Sequence, residues 1–579
     1  MKELSYCVLL PLMVFLIAAA YNERLRARLL SVRAIASLES RLQGENDRLY
    51  WVAFALCMAA GIGVRCWRFG QLPYGVNQDG AMAGVEAFFQ LRDGTDHNGV
   101  SWPTYFEAWG FSQMSTLYSY VLIPFIRVLG LNRFSLRLPM LLASLISLPI
   151  LWDLARRIAG KGYALLALFV LAGNPWHVLL SRWALEANLF PPVLLVGVYL
   201  LYLGKDRRWA LYLSMVFFGL TPYAYGVACF STPVLLAGMA LYYLVKGRVR
   251  VVDVIVCALI FGGIAAPYFA TMLINMMGWP TIHLGPITIP YFENSLRSNE
   301  IGLVQWNPYL VMISNFRAFF GLFLVSDFQD CYNAIDWASL MYRFTPPLIL
   351  FGAYRLWRDR RDLARRGGQD FSADGGMLIL MWLFAAAFNS MTIAGVANRN
   401  NVLLFPLVLI LAFALFKMGS RLRVALCAAV AVFTLSFGML CVTYFADETY
   451  QNTVGTYFHD GLQQALTDTW DQTLDKTYLS ITGGNARDKR MLSQLMFARS
   501  IDYSALSGAS ELDGPDGKPS GRYFDEFYAF ADFDEFVPDQ NERAVYIIME
   551  RDKDKFDQEA FSITDYGQYA VAYPRLLAQ

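Results

Sequence analysis

Asp79 is the carboxylate best placed in this chain to do chemistry. It stands in Val76-Asn77-Gln78-Asp79-Gly80-Ala81, just ahead of residues 81–91, whose spacing predicts a helix. There it can accept a proton from an acceptor hydroxyl or amine, which requires hydrogen-bond reach of the nucleophile. The same placement suits a helix N-cap that satisfies free backbone amides, and spacing alone leaves both roles open. Further on, Leu91-Arg92-Asp93-Gly94-Thr95-Asp96-His97-Asn98-Gly99 offers Asp96 and His97, which either contact a substrate or brace their own loop. Glu186 sits at a turn before an apolar run. An ionisable group beside a membrane helix is a functional candidate by default, and otherwise a boundary residue. The four histidines, His97, His177, His283 and His459, lack metal-ligand spacing. No CxxC pair occurs among the eight cysteines, most of which lie in apolar runs and read as small buried hydrophobes.

The elements that must carry these residues are membrane helices. Of the 579 residues, 56% are hydrophobic, above the roughly 45–50% of soluble domains. The excess is clustered: residues 163–180, 190–203, 251–270 and 424–442 approach or reach the ~18–20 apolar residues that cross a bilayer. A net charge of +1 gives no global field for a nucleic acid or a strongly anionic partner.

The basic residues set the expected topology, because positively charged loops stay in the cytoplasm. They cluster at Arg24/Arg26/Arg28/Arg33, Arg156/Arg157/Lys161, Lys205/Arg207/Arg208, Lys246/Arg248/Arg250, 355–366 and Lys417/Arg421/Arg423. Keeping all of them inside requires an even number of crossings between successive clusters. About twelve spans satisfy this: 6–20, 50–67, 138–155, 162–178, 189–203, 209–226, 229–245, 251–272, 345–357, 376–394, 401–417 and 424–443. Residues 1–49 then form an N-terminal helix and a basic cytoplasmic segment, with the amino terminus outside. Residues 50–445 form the transmembrane domain, with outer loops 68–137 and 273–344. The apolar stretch 114–129 is interrupted by Pro124 and Arg127, and parity makes it a helix at the outer interface. Residues 446–579 lose the long apolar runs and alternate helical with strand-like segments. Helices are expected at 458–472 and 487–499, strands at 477–482, 544–550 and 568–573, and a loop at 507–522. The expected fold is therefore an all-α polytopic membrane protein with a small C-terminal extracytoplasmic α/β domain.

Several stretches resemble one family. Asp79-Gly80-Ala81, Asp93-Gly94-Thr95-Asp96-His97-Asn98-Gly99 and Pro103-Thr104-Tyr105-Phe106 are similar to the first outer loop of GT-C glycosyltransferases. The nearer match is the bacterial branch related to protein O-mannosyltransferases and the lipid A aminoarabinose transferase. Leu131-Asn132-Arg133-Phe134-Ser135-Leu136-Arg137-Leu138-Pro139, the stretch from Asn174 to Asn188, and Asn398-Arg399-Asn400-Asn401 resemble later segments of that branch. The resemblance covers roughly residues 50–445. It implies a GT-C-like fold in a bacterial cytoplasmic membrane and a polyprenyl-phosphate sugar as donor. It also implies inversion at the sugar carbon, with Asp79 orienting or deprotonating a glycan, lipid or protein acceptor. Arginine suits the donor phosphate because its planar fork makes several charge-assisted bonds. Arg399, Arg182 and Arg137 are the candidates, with interfacial snorkelling as the alternative. Glu186 falls where the family places an acidic or polar group facing the cavity, and Asp96 and His97 either contact the sugar or brace their loop. No cofactor is implied; some relatives use a divalent metal, for which no ligand spacing speaks here.

Two departures stand out. Many relatives follow the first-loop aspartate with glutamate, where this chain has Gly80. Many carry a Lys-Pro-Pro-like segment where this chain has Gln113-Met114-Ser115-Thr116. They fit either a different substrate or loss of catalysis. A transporter or flippase of a lipid-linked glycan and a non-catalytic membrane assembly protein are the rival readings. The transporter reading predicts broken helices at mid-membrane and pseudo-symmetric halves, whereas the polar groups here concentrate in outer loops.

Overall fold

The computed structural model describes residues 2–42, 47–109, 112–293, 307–324, 331–366, 372–393, 396–469, 476–480, 485–499, 511–513, 519–523, 528–534 and 536–577. Helices form at all twelve stretches where spans are expected. Among the described residues, nine helices are long and apolar enough to cross a bilayer. The difference from twelve has local causes. Arg133–Ala172 is a single run of 40 residues that holds two expected segments and bends where Gly160 takes φ +78°. Arg208–Ala224 has only 17 residues, and Pro346–Arg366 ends in charge. Leu117–Leu129 is a 13-residue helix, too short to span at 1.5 Å per residue.

Charge separates the two ends of the bundle. At one end, Lys161 pairs with Asp47 at 3.2 Å, Arg156 and Arg157 with Asp153 at 2.6 Å each, and Arg208 with Asp253 at 3.2 Å. Arg248 meets Asp374 at 2.8 Å, while Arg355 and Lys417 share Asp359 at 2.8 and 2.7 Å. Glu39 receives the backbone amides of Arg423 and Val424 at 3.0 and 2.9 Å. The basic segments thus gather in one layer, as the parity argument requires. The amino-terminal helix runs from that layer, where the Tyr21 hydroxyl donates to the Lys417 carbonyl, to the other end. There Lys2 pairs with Asp336 at 3.1 Å, and the buried Arg343 donates to the Tyr6 hydroxyl at 2.6 Å.

The carboxy-terminal region packs against that second end. Its seven-stranded sheet runs 561–566, 569–574, 544–549, 476–480, 528–531, 519–523, 511–513 in space. Lys476–Ser480 pairs in parallel with both neighbours, and the other pairings are antiparallel. Tyr478 stacks on Tyr546 with ring centroids 5.0 Å apart, in a core shared with Phe533, Phe556 and Phe561. Two expectations need correction. The loop expected at 507–522 contains the strands Glu511–Asp513 and Pro519–Tyr523. Glu511–Asp513 is the edge strand and Pro519–Tyr523 the next one in, with its proline at the first position, where it is tolerated. The helix expected at 458–472 is only Leu462–Asp468, because His459 (φ +50°) and Gly461 (φ +85°) break it.

Close helix contact depends on small residues. Gly352 lets Pro346–Arg366 approach Leu404–Gly419 until an added Cβ would strike the Ile410 carbonyl. Gly352→Val should therefore destabilise the bundle by about 1–3 kcal/mol, read as a lowered Tm of the purified protein in detergent; an unchanged Tm would show that the two helices can part freely.

Candidate active site

Gln78–Asp93 begins with Asn77 as its N-cap, whose side chain accepts the Asp79 amide at 3.0 Å. Asp79 is therefore not the cap; it is half-buried in the first turn. The approach to it is pinned from three sides. Arg137 donates through Nη2 to the carbonyls of Pro73 at 3.0 Å and Gly75 at 2.7 Å. Gln494 of the carboxy-terminal region donates to the Val76 carbonyl at 2.8 Å, and Asn77 donates to the Tyr457 carbonyl at 3.2 Å. Gly75, at φ +74°, leaves no room for a Cβ beneath Phe458.

Glu186 opens the helix Glu186–Gly204 and accepts the Ser115 amide at 2.5 Å. The helices of Asp79 and Glu186 converge: a Cβ on Gly80 would come within 3.0 Å of the Ala184 carbonyl oxygen. The two departures from the family pattern thereby acquire a geometry. A glutamate at position 80 does not fit without moving the turn that leads to Glu186. The segment 113–116 supplies the amide that holds Glu186. Arg399 lies in the 3-10 turn Asn398–Leu403, half-buried. From the same turn Asn401 donates to the Ala187 carbonyl at 3.1 Å and accepts from Trp176 at 3.0 Å. The segments bearing Asp79, Glu186 and Arg399 thus meet around the amino end of one helix, at the end of the bundle opposite the basic layer.

Other expected ligands have different work. Arg182 is fully buried and donates to the carbonyls of Val64, Arg65 and Trp67 at 3.0, 2.9 and 2.9 Å, and to the Tyr444 hydroxyl at 3.1 Å. It closes the carboxyl end of Asp47–Cys66, whose last carbonyls lack helical partners, and its fork is occupied. Arg182, a candidate for the donor phosphate, is here engaged in holding that helix end. Arg137, another candidate, is also buried and holds the loop before Asp79, and its Nη1 is buried with no hydrogen-bond partner among the described residues. Sequence reading passed over Arg65, which is 0% exposed. It donates to the carbonyls of Gly61, Leu171 and Ala172 and contacts His177 Nδ1 at 2.5 Å. A charge inside an apolar run was the available signal for Arg65.

Asp96 and His97 are buried, and of the two roles the sequence leaves open for them their contacts here are those of bracing. Asp96 accepts the amides of Asn98 and Val100 at 2.9 and 2.8 Å. His97 bonds through Nδ1 to Glu86, which the motif reading gave no role, and stacks on Trp109 at 4.3 Å. Trp109 Nε1 donates to the same carboxylate at 3.0 Å. Burial and the charge of Glu86 push Asp96 up to about 7. Burial alone would lower His97, but Glu86 and then Asp96 raise it. Both groups hold protons more tightly folded than unfolded, so both destabilise the fold as pH rises. The Asp96 contribution declines from the unfolded carboxylate pKa up to about 7, and that of His97 through its raised pKa. Between about pH 5 and 8 the Tm should fall, and Asp96→Asn should flatten the lower part of that fall. A wild-type Tm that rises over this range would refute the assignment.

Among the described residues, no three His, Cys, Asp or Glu side chains gather as a metal site would require. Residues 114–274 match the family model described as dolichyl-phosphate-mannose-protein mannosyltransferase. No curated protein matches the chain by sequence. Among solved structures, ArnT from Cupriavidus metallidurans bound to undecaprenyl phosphate aligns at 12% identity over 90% of this chain and 98% of that one, with a TM-score of 0.48. The Archaeoglobus fulgidus oligosaccharyltransferase in complex with Zn and sulfate aligns at 12% identity over 77% of this chain, with a TM-score of 0.46. This chain spans 61% of that oligosaccharyltransferase's length. The family match thus falls on residues 114–274, inside the part of the chain whose motifs resemble GT-C glycosyltransferases.

Proposed function

We propose that the protein is an inverting glycosyltransferase that moves a sugar from a polyprenyl-phosphate donor to a glycan, lipid or protein acceptor. The observation that carries this reading is the meeting of the Asp79, Glu186 and Arg399 segments at one end of the bundle, away from the basic layer. With the basic layer in the cytoplasm, that end and the carboxy-terminal domain face the outside of a bacterial cytoplasmic membrane. The match of residues 114–274 to a family named for a lipid-phosphate sugar donor supports the donor class.

The chemistry divides between two sides of the sugar. Asp79 takes the proton of the acceptor hydroxyl or amine as that atom bonds to the anomeric carbon. On the opposite face the bond from carbon to phosphate oxygen breaks, and the lipid phosphate leaves with the bonding electrons. Arg399 stabilises the charge that develops on the phosphate, and Glu186 orients the sugar or acceptor from the facing helix end. Asp79→Asn should lower transfer from radiolabelled polyprenyl-phosphate sugars by a factor of about 10²–10⁴ with donor binding retained. Full turnover in that variant would remove Asp79 from the chemistry. No transfer by the wild type from any such donor would favour the flippase or assembly readings.

Gln494 acts through the loop it holds. Gln494→Leu should reduce kcat by up to about 10²-fold while the donor KM stays near wild type. A change confined to KM, or a kcat decline matched by loss of folded protein, would make its role purely structural.

A further inference from the structure

At the basic end, far from the candidate site, an apolar groove of about 260 Å³ lies between Ala228–Val245 and Val251–Met277. Its walls include Leu201, Met215, Ala237, Ala240, Val249 and Ala258. Alanines where larger side chains would close the gap keep it open, and Ala237 and Ala258 are exposed at its lip. An apolar recess offers a water none of the polar partners it needs, and a void forfeits the dispersion contacts of its lining. Within a bilayer, hydrocarbon chain fills such a groove.

The rim says which lipid. Val249 lines the groove between Arg248 and Arg250, and Leu211 lines it one turn beyond Arg208. Around this mouth stand Lys205, Arg207, Arg208, Lys246, Arg248 and Arg250 against Asp206, Asp253 and Asp374, a local excess of three positive charges. Asp253 is engaged by Arg208, and Asp374 by Arg248 at 2.8 Å and Lys205 at 4.0 Å. Arg207 and Lys246 are exposed and have no acidic partner within 4.0 Å among the described residues. We propose that the groove and its rim bind one anionic diacyl phospholipid, an acyl chain between the two helices and the phosphate at Arg207 and Lys246. Basic pockets between membrane helices take such head groups. The polyprenyl donor is not this occupant, because the reacting phosphate belongs at the opposite end of the bundle and its long chain exceeds the groove.

The test uses the full-length protein, delipidated in detergent, with phosphatidylglycerol or phosphatidylcholine added and retained lipid read by native mass spectrometry. Phosphatidylglycerol should be retained as one tight adduct and phosphatidylcholine should not. Ala240→Trp, which fills the groove, should remove the adduct. Arg207→Ala with Lys246→Ala, both on the surface, should weaken binding at least about fivefold, and this pair remains informative if the tryptophan variant does not fold. Equal retention of the two lipids, unchanged binding in the surface double variant, or displacement of phosphatidylglycerol by an equal concentration of polyprenyl phosphate would each overturn the proposal.

Discussion

Helix carbonyls that end inside an apolar bundle have no water to turn to, and at the second end of this protein buried arginines answer them. An unsatisfied peptide group away from water costs several kcal/mol, so a helix can stop there only if a donor is waiting. Arg182 closes Asp47–Cys66 by reaching Val64 and Arg65, and Arg65 closes Arg133–Ala172 by reaching Leu171 and Ala172. Arg137 does the same for the loop at Pro73 and Gly75. Each guanidinium sits where its removal would strand several carbonyls at once, and removing one partner of a buried charged network is strongly destabilising. The fold at this end is set by where these forks can reach.

The candidate site inherits its geometry from that arrangement. Arg137 fixes the loop that delivers Asp79, Asn77 caps its helix, and the carboxy-terminal region presses on the same few residues through Gln494 and the Tyr457 carbonyl. The carboxy-terminal domain is thus part of the wall behind the proposed base. Gly84 extends the same contact, since an added Cβ would meet Phe497 at 3.1 Å. Small residues and one buried amide side chain set the distance between the Asp79 helix and its neighbours.

Much of this was legible in the sequence. Apolar runs located the helices, and basic clusters sorted the two ends, because length and charge are local properties. Roles were harder to read than places. Arg182 lies in the stretch that most resembles the family, yet its partners Val64 and Tyr444 are 118 and 262 residues away, and spacing carries no sign of them. His97 and Asp96 have the composition of a binding loop, but their partner Glu86 comes from the preceding helix and draws them inward. Asn77 rather than Asp79 caps because an extended residue with a short polar side chain must precede the first turn, and Asn77 takes that conformation at φ −67°, ψ +147°. The strands Glu511–Asp513 and Pro519–Tyr523 were missed because short polar stretches lack the apolar alternation that marks a strand in sequence.

Burial then divides the ionisable groups at this end into an enclosed set and the half-buried set to which chemistry is proposed. Arg65, Arg137, Arg182, Glu86 and His97 are almost wholly enclosed, and their hydrogen bonds run to backbone, to one another and to the buried His177, Trp109 and Tyr444. Asp79, Glu186 and Arg399 are only half-buried and stand on adjoining helix starts. A group that must meet a substrate keeps a face toward the place the substrate will occupy, whereas a group that must hold a helix end gives that face up. The two sets are interleaved along the chain, so motif resemblance alone merges them. The same reasoning explains the tolerance for Gly80. Once Glu186 is presented from the facing helix start and anchored by the Ser115 amide, a second carboxylate beside Asp79 would place like charges together in a crowded turn and raise the cost of ionising either.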